Sequence, residues 1–320
     1  MQKTIKKRSV FKFLLIVIIT VFILSAVYLF LGREKIELND TIRKKLGGTY
    51  ITLKSGITHY SQEGLENSQT VIFIHGSTIS MWDFNLQKKS LLKNGYRVIL
   101  YDALGRGYSD RPDVEYTRKL YKLQLKQLID KLNIKKKIVL AGHSLGGATA
   151  VSFASSYPNR IAGLFLISPV INSVTTAAPF IICNTPFLGR LIYRAGMAQV
   201  LENRSIAQWN NNVPNPQYYN NLFKKQMEIK GFEHAVCSMF QTDLVGDYIK
   251  NYIAVDRLNI PFTIVYGEND SVIGLDKITL LKRKTSNIIF KKIKNAGHCA
   301  HVEQKKTIDQ LLLMFLKKIR

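Results

Sequence analysis

Residues 137–154 read KIVLAGHSLGGATAVSFA, and this stretch indicates both a fold and a chemistry. The apolar run KIVLAG is typical of a strand buried on both faces, and the small residues of GGATAVSFA favour a closely packed helix. Between them lies a G-x-S-x-G match at a turn from strand to helix, where a nucleophilic serine is held on a strained backbone. Ser144 is therefore the candidate nucleophile. The alternative is a glycine-rich turn with an N-capping serine.

Strand-like and helix-like segments alternate on both sides of this turn. The strand-like runs lie at 70–75, 96–102, 137–142, 161–168, 261–267 and 287–294. The helix-like stretches lie at 82–93, 117–132, 145–157, 275–284 and 303–318. Two further short runs around Ser55-Gly56 predict a hairpin between Tyr50 and Ser61. The alternation predicts a doubly wound, mostly parallel α/β sheet.

One long stretch, Pro169 to Asp256, interrupts the alternation. It carries no strand signal, but it holds helical patches at 217–229 and 232–240. A loop of that length without secondary structure is uncommon in a compact domain. We therefore predict a helical subdomain inserted between two strands. The predicted core then has two parts, 49–168 and 257–320, on either side of an insertion at 169–256.

A serine hydroxyl is a weak nucleophile near neutral pH, so a base must take its proton and a third group must orient that base. Of the six histidines, His298 is preferred because it follows the last strand and precedes the last helix. Loops at the carboxyl ends of strands hold the site of an open α/β sheet. His301 is the rival, and we expect it to be a helix cap or a supporting residue.

The orienting acid is sought after another strand. Asp270 lies just past the run at 261–267, and Glu268 in the same loop is the local alternative. The loop after 161–168 begins SPVIN and offers no carboxylate there. We therefore predict a catalytic set of Ser144, Asp270 and His298, in that chain order.

The oxyanion formed in acyl transfer needs main-chain N–H donors. The amide of Leu145 provides one by its position at the start of the helix. A second is expected from the loop after an early strand, where His75-Gly76-Ser77-Thr78 follows the run TVIFI. We choose the amide of Ser77 over that of Thr78. The alternative is that Gly76 marks a plain turn.

Five segments together resemble the markers of the α/β-hydrolase superfamily, in the same order and at similar spacing. They are His75-Gly76, DALGRGYS at 102–109, GHSLGG at 142–147, GEND at 267–270 and Gly297-His298. The resemblance runs from about residue 49 to the carboxyl end. It implies a Ser-His-Asp mechanism of the esterase type, with the insertion as a helical cap over the pocket. Serine at the elbow separates the chain from the epoxide hydrolase and haloalkane dehalogenase branches, and we expect Arg106 to tie loops together.

The amino terminus predicts a membrane anchor. Residues 1–12 are basic without an acid, and residues 13–31 carry no charge. At about 1.5 Å per residue the second run is roughly 28 Å long, close to the ~30 Å hydrocarbon core. Large residues at 28–30 favour an uncleaved signal anchor over a removed signal peptide. The basic flank should stay in the cytoplasm, so the rest of the chain is expected outside the cell membrane. Residues 32–48 are expected to form the linker between the anchor and the core. A buried core helix is the alternative.

Composition narrows the classes of function. The chain has a net charge of +24, which suits an anionic partner or reflects a general richness in Lys, Asn and Ile. We favour the second explanation, and exclude nucleic acid, because no basic stripe is interleaved with aromatic residues. The three cysteines, Cys183, Cys237 and Cys299, indicate neither a disulfide framework nor a CxxC metal site. No cofactor and no metal are expected.

We therefore expect a membrane-anchored serine hydrolase, facing outward, that cleaves carboxylic esters through an acyl-enzyme. Lipid or acylglycerol esters are attractive substrates because the anchor keeps the site near the membrane. An aminopeptidase, a C–C bond hydrolase and a cofactor-free haloperoxidase are the alternatives on the same fold. A non-enzymatic binding protein is disfavoured because the catalytic set and both oxyanion positions are intact.

Overall fold

The centre of the fold is a sheet of eight strands within residues 2–172, 178–185, 189–203 and 215–319, the part of the chain that the computed structural model describes. The strands are β1 (Thr49–Leu53), β2 (Gly56–Glu63), β3 (Thr70–Ile74), β4 (Arg97–Tyr101), β5 (Ile138–His143), β6 (Ile161–Ile167), β7 (Phe262–Gly267) and β8 (Ile289–Ile293). Their order across the sheet is β1-β2-β4-β3-β5-β6-β7-β8. The β1–β2 and β2–β4 pairs are antiparallel, and all pairs from β4 to β8 are parallel. The predicted mostly parallel α/β sheet is confirmed.

The middle strands are covered on both faces. Every residue of β3, β4, β5 and β7 is buried, as their continuous apolar runs predict. In contrast, β8 is one of the two edge strands, and its Ile289 is 48% exposed. Charged side chains such as Lys291 and Lys292 are tolerated in β8 because an edge strand faces solvent and charge there discourages pairing with another chain.

Helices cover both faces of the sheet and also make up the amino-terminal segment and the insertion. They are α1 (Gln2–Phe30), α2 (Asp40–Leu46), α3 (Asn85–Lys93), α4 (Arg118–Lys131), α5 (Leu145–Ser156), α6 (Ala178–Cys183), α7 (Gly189–Ile192), α8 (Pro216–Met227), α9 (Phe232–Gln241), α10 (Ile249–Asp256), α11 (Leu275–Lys284), α12 (Ala300–Glu303) and α13 (Lys305–Ile319). One apolar layer packs α4, α5 and α10 together, and the other includes α3 and α13. The core therefore lies in two layers, one on each face of the sheet.

The described part of the predicted insertion, 169–256, is helical. It holds α6 to α10, and residues 193–197 form a π-helical turn after α7. Residues 173–177, 186–188 and 204–214 of the insertion lie outside the described residues. The last helix of the range, α10, packs against α5 of the core. We use the name cap for α6 to α9.

A disulfide in the cap corrects one inference from composition. Cys183 in α6 is bonded to Cys237 in α9, across a sequence separation of 54 residues. The third cysteine, Cys299, is free and buried. Counting and spacing gave no sign of the bridge because the two partners are far apart in sequence and only the packing of α6 against α9 brings them together.

The amino-terminal helix α1 covers most of the predicted anchor at 13–31. The side chains described for residues 11–27 are all exposed, and they are almost entirely apolar. Across the described part of the chain, no helix has both the length and the apolarity of a membrane span. The predicted transmembrane helix is thus without support from the structure.

The segment that follows α1 is hydrogen-bonded to the cap. The main-chain amide of Ile36 donates to the carbonyl of Glu228, at 2.9 Å. The carboxylate of Glu34 accepts from the main-chain amide of Gly231, at 2.9 Å, where α9 begins. An acid at this end of a helix is favourable because it meets unsatisfied N–H groups and the positive end of the helix dipole. We call residues 33–37 the strap.

Candidate active site

Ser144 occupies the sharp turn between β5 and α5. Its φ is +51° and its ψ is −118°, in a region that residues with a side chain rarely adopt, at a cost of the order of 1–3 kcal/mol. The turn is tight because glycines surround it: a Cβ on Gly146 would lie 2.0 Å from the carbonyl oxygen of Ile74. The backbone thus holds Ser144 at the start of a helix, in the geometry that the sequence predicts for a nucleophile.

His298 and Asp270 meet at the carboxyl ends of β8 and β7. His298 Nδ1 lies 3.0 Å from Asp270 Oδ2 and 3.2 Å from Oδ1. Asp270 Oδ1 also accepts from the amides of Val272 and Ile273, at 2.9 and 3.0 Å, which fixes the carboxylate. Because Asp270 accepts from Nδ1, the neutral ring leaves its Nε2 free to accept a proton. Glu268, the local alternative, instead pairs with Lys292.

Burial and pairing set the charges of these two groups. Burial alone would raise the pKa of Asp270, but the hydrogen bond and charge of His298 outweigh it and lower that pKa to about 2. Burial lowers the pKa of His298 below its usual value of 6.5, although Asp270 acts in the opposite direction. Near neutral pH, Asp270 is therefore ionised and His298 is neutral, which is the state that a general base requires.

The nucleophile turn contacts the main chain of the base through His143. His143, directly before Ser144, has its Nε2 3.2 Å from the main-chain oxygen of His298. The two imidazole ring centroids are 4.9 Å apart. The three residues of the predicted catalytic set thus come from loops that meet at one edge of the sheet.

The predicted oxyanion donors lie on two fixed main-chain segments. We call residues 75–80 the oxyanion loop. Among the described residues, none accepts a hydrogen bond from the amide of Ser77 or of Leu145. The carbonyl of Ser77 accepts from the buried guanidinium of Arg106, which also bonds to the carbonyls of Gly105 and Ala235. Arg106 thus ties loops together, as expected from the sequence, and it holds the peptide next to the predicted donor.

A cap residue that sequence reasoning missed also holds this loop. Gln226 in α8 is buried, its Nε2 donates to the carbonyl of Thr78 at 2.7 Å, and its Oε1 accepts from Gly107 at 3.0 Å. A glutamine within a helical patch gives no sequence signal for such a contact. The cap therefore contacts the oxyanion loop directly.

One group of described residues has the composition of a metal site. The donor atoms of Asp83, His143 and His301 lie within 4.8 Å of one another, and all three side chains are buried. His143 Nδ1 lies 2.9 Å from Asp83 Oδ2, and His301 Nε2 lies 2.8 Å from Asp83 Oδ1. Both are ordinary hydrogen-bond distances. We therefore describe the group as a hydrogen-bonded cluster. Sequence reasoning placed His301 as a supporting residue but overlooked Asp83, which belongs to no recognised motif.

A second buried His–Asp pair lies elsewhere. His59 Nδ1 is 2.7 Å from Asp102 Oδ2. The nearby hydroxyl of Ser109 donates to the carbonyl of Asp102 and accepts from the amide of His59. Because this hydroxyl is used in main-chain bonds, the pair stabilises the loop of residues 102–109 and presents no activated nucleophile.

Comparison with known proteins gives consistent results. A family model for the alpha/beta hydrolase fold matches residues 69–305. The chain is 28% identical over 284 residues to the 2-hydroxy-6-oxononadienedioate/2-hydroxy-6-oxononatrienedioate hydrolase 1 of Pseudomonas putida, covering 81% of this chain and 91% of that one. It is 24% identical over 286 residues to a bifunctional esterase/perhydrolase of Acinetobacter calcoaceticus, covering 84% and 99%.

A solved structure shares the fold. An esterase from Exiguobacterium antarcticum superposes with a TM-score of 0.71 at 18% identity, covering 85% of this chain and all of that one. At this identity the likeness concerns the fold.

Proposed function

The chain belongs to the alpha/beta hydrolase family, and from this premise we propose that it is a serine hydrolase of carboxylic esters that uses Ser144, His298 and Asp270. The observation that carries the proposal is the convergence of the strained Ser144 turn with a hydrogen-bonded pair of a base and an acid. An ester is the most general substrate of such a set.

Each residue has a defined part in the mechanism. His298 takes the proton from Ser144 as the hydroxyl attacks the carbonyl carbon, and Asp270 stabilises the imidazolium that forms. The amides of Ser77 and Leu145 stabilise the negative charge on the tetrahedral oxygen. His298 then protonates the leaving alcohol, and water repeats the sequence to release the acid.

A second candidate reaction is hydrolysis of a C–C bond. It is favoured by the likeness to the Pseudomonas putida hydrolase, which extends over 91% of that chain. The aminopeptidase and haloperoxidase alternatives rest on the fold alone.

A substrate panel tests the choice of reaction. It contains p-nitrophenyl esters of increasing acyl length, aminoacyl amides and a vinylogous 1,5-diketone acid. We expect esters to turn over at least about tenfold faster, in kcat/KM, than the other classes. Turnover of the diketone with inert esters would move the assignment to C–C hydrolysis.

We further propose that α1 attaches the enzyme to the cell membrane, with the catalytic domain outside and lipid or acylglycerol esters as substrates. Two observations support this proposal. The described side chains of residues 11–27 are exposed and mostly apolar, and large exposed apolar surfaces mark interaction sites. The Cys183–Cys237 disulfide is typical of an oxidising compartment.

Cell fractionation tests this placement. The full chain should stay in the membrane fraction after carbonate washing, and a variant lacking residues 2–31, which retains the strap, should be released. Alkylation of intact cells with and without reductant should show that Cys183 and Cys237 are bonded. A full chain found free of the membrane, or a reduced pair, would contradict the proposal.

The cap is proposed to select the acyl group. Tyr219 in α8 is buried against Trp82, with ring centroids 5.6 Å apart. We expect Tyr219→Leu to shift the preferred acyl length in the ester panel, because the change removes an aromatic contact with Trp82 and opens space beside the oxyanion loop. The neighbouring Tyr218 is 47% exposed, so Tyr218→Leu is the matched control. An unchanged profile in Tyr219→Leu would assign acyl selection to the core loops.

A further inference from the structure

Asp83 is a buried carboxylate that the proposed catalytic set does not use. Its side chain is 0% exposed and lies in the helical turn that follows the oxyanion loop. It accepts from the ring of His143 at 2.9 Å, from the ring of His301 at 2.8 Å and from the amide of Gly76 at 3.3 Å. No Lys or Arg of the described chain forms an ion pair with it. A carboxylate is rarely so buried unless its partners hold it.

Each partner of Asp83 belongs to a different part of the site. Gly76 belongs to the oxyanion loop, His143 directly precedes the nucleophile, and His301 lies in α12 just after the base. One carboxylate thus links the three segments whose relative placement determines catalysis.

The ring of His143 extends this link to the base. Its Nδ1 faces Asp83 Oδ2, and its Nε2 faces the main-chain oxygen of His298 at 3.2 Å. Both oxygens only accept hydrogen bonds, so both bonds form together only when the ring carries a proton on each nitrogen. The counter-charge that a buried imidazolium needs then comes from Asp83. Burial would raise the pKa of Asp83, but its two imidazole partners outweigh burial and lower it, so the carboxylate is ionised.

We propose that Asp83 is a positioning residue of the hydrolase, acting through a doubly protonated His143 to fix the main chain of His298 relative to the nucleophile turn and the oxyanion loop. The inference rests on the proposed function. Asp83 touches neither substrate nor reacting atoms in this scheme. Its negative charge also favours the protonated form of His298, which appears each time Ser144 loses its proton.

The variant Asp83→Asn keeps the shape of the side chain and removes its charge. We expect kcat to fall about 10²-fold, the scale of a 1 Å misplacement of reacting groups, with KM changed by less than about threefold. Rates are expressed per active site, counted by titration with a small fluorophosphonate, so that misfolded protein does not contribute.

A pH profile separates this role from a structural one. The titratable groups that act on His298 in the described structure are Asp270, His143 and Asp83. The negative charge of Asp83 raises the pKa of His298. The acid limb of kcat/KM in Asp83→Asn should therefore move to lower pH than in the wild type.

The matched control is another buried aspartate. Asp256 accepts from the amides of Ser286, Asn287 and Ile288, near the start of β8 and away from the site. Asp256→Asn should lower the melting temperature and leave kcat per active site and the pH profile as in the wild type.

The outcomes separate the inference from the proposed function. If Asp83→Asn matches the wild type in kcat per site and in the acid limb of kcat/KM, the inference is overturned while the function stands. If Asp83→Asn does not fold, His143→Phe, which keeps a ring and removes both donors, decides in the same way. If the fluorophosphonate does not label the wild type, both the inference about Asp83 and the proposed function are overturned.

Discussion

Replacement of Ser144 by alanine is expected to abolish covalent labelling by a fluorophosphonate and to lower kcat by roughly 10⁴–10⁶-fold, because the residues of such a set act as a unit. Ser144 lies on the strained turn at the amino end of α5, and the residue before it contacts the main chain of His298. Gel fluorescence of the labelled protein and ester turnover measure the two effects independently.

The matched control for this experiment is Ser152→Ala. Ser152 is buried in the same helix, α5, two turns beyond the nucleophile. Its loss should leave both labelling and turnover at the wild-type level. Labelling that persists in Ser144→Ala would show that another residue is the nucleophile.

Replacement of His298 by alanine is expected to lower kcat by several decades, and Asp270→Asn should cost somewhat less, because Ser144 keeps its base but loses the group that orients it. The acid limb of kcat/KM in the wild type should lie below pH 6.5, since burial lowers the pKa of His298. Asp270 raises that pKa, so the limb in Asp270→Asn should move to still lower pH. Ester hydrolysis between about pH 4 and 8 measures both effects.

His301→Ala is the comparison for the base. His301 contacts Asp83 and not Asp270, so its loss should cost far less than the loss of His298. If His301→Ala is inactive while His298→Ala turns over, the two roles are exchanged.

The sequence predicted the sheet because its strands are long apolar runs separated by amphipathic helices, and that pattern is local. Ser144, Asp270 and His298 could be proposed because each follows a recognisable strand, and parallel strands bring such loops to one edge. In the structure Ser144 lies at the turn between β5 and α5, and the side chains of His298 and Asp270 are hydrogen-bonded.

Other features depend on contacts between distant segments and left no local pattern. The bond between Cys183 and Cys237 depends on how two cap helices pack, and the role of Gln226 depends on where α8 crosses the oxyanion loop. In the sequence Asp83 resembles any acidic residue at the start of a helix, and only the fold brings the imidazoles of His143 and His301 to it. Such residues are visible only in three dimensions.

The strap described above also limits how far the enzyme can move from its own amino terminus. Only two residues, Leu31 and Gly32, separate the end of α1 from the strap, a reach of roughly 10 Å when fully extended. The strap is hydrogen-bonded to Glu228 and to the start of α9. A contact that fixes α1 in place therefore also keeps the cap within this short distance of α1. Displacing the cap therefore means either breaking the hydrogen bonds of the strap or moving α1 together with the cap.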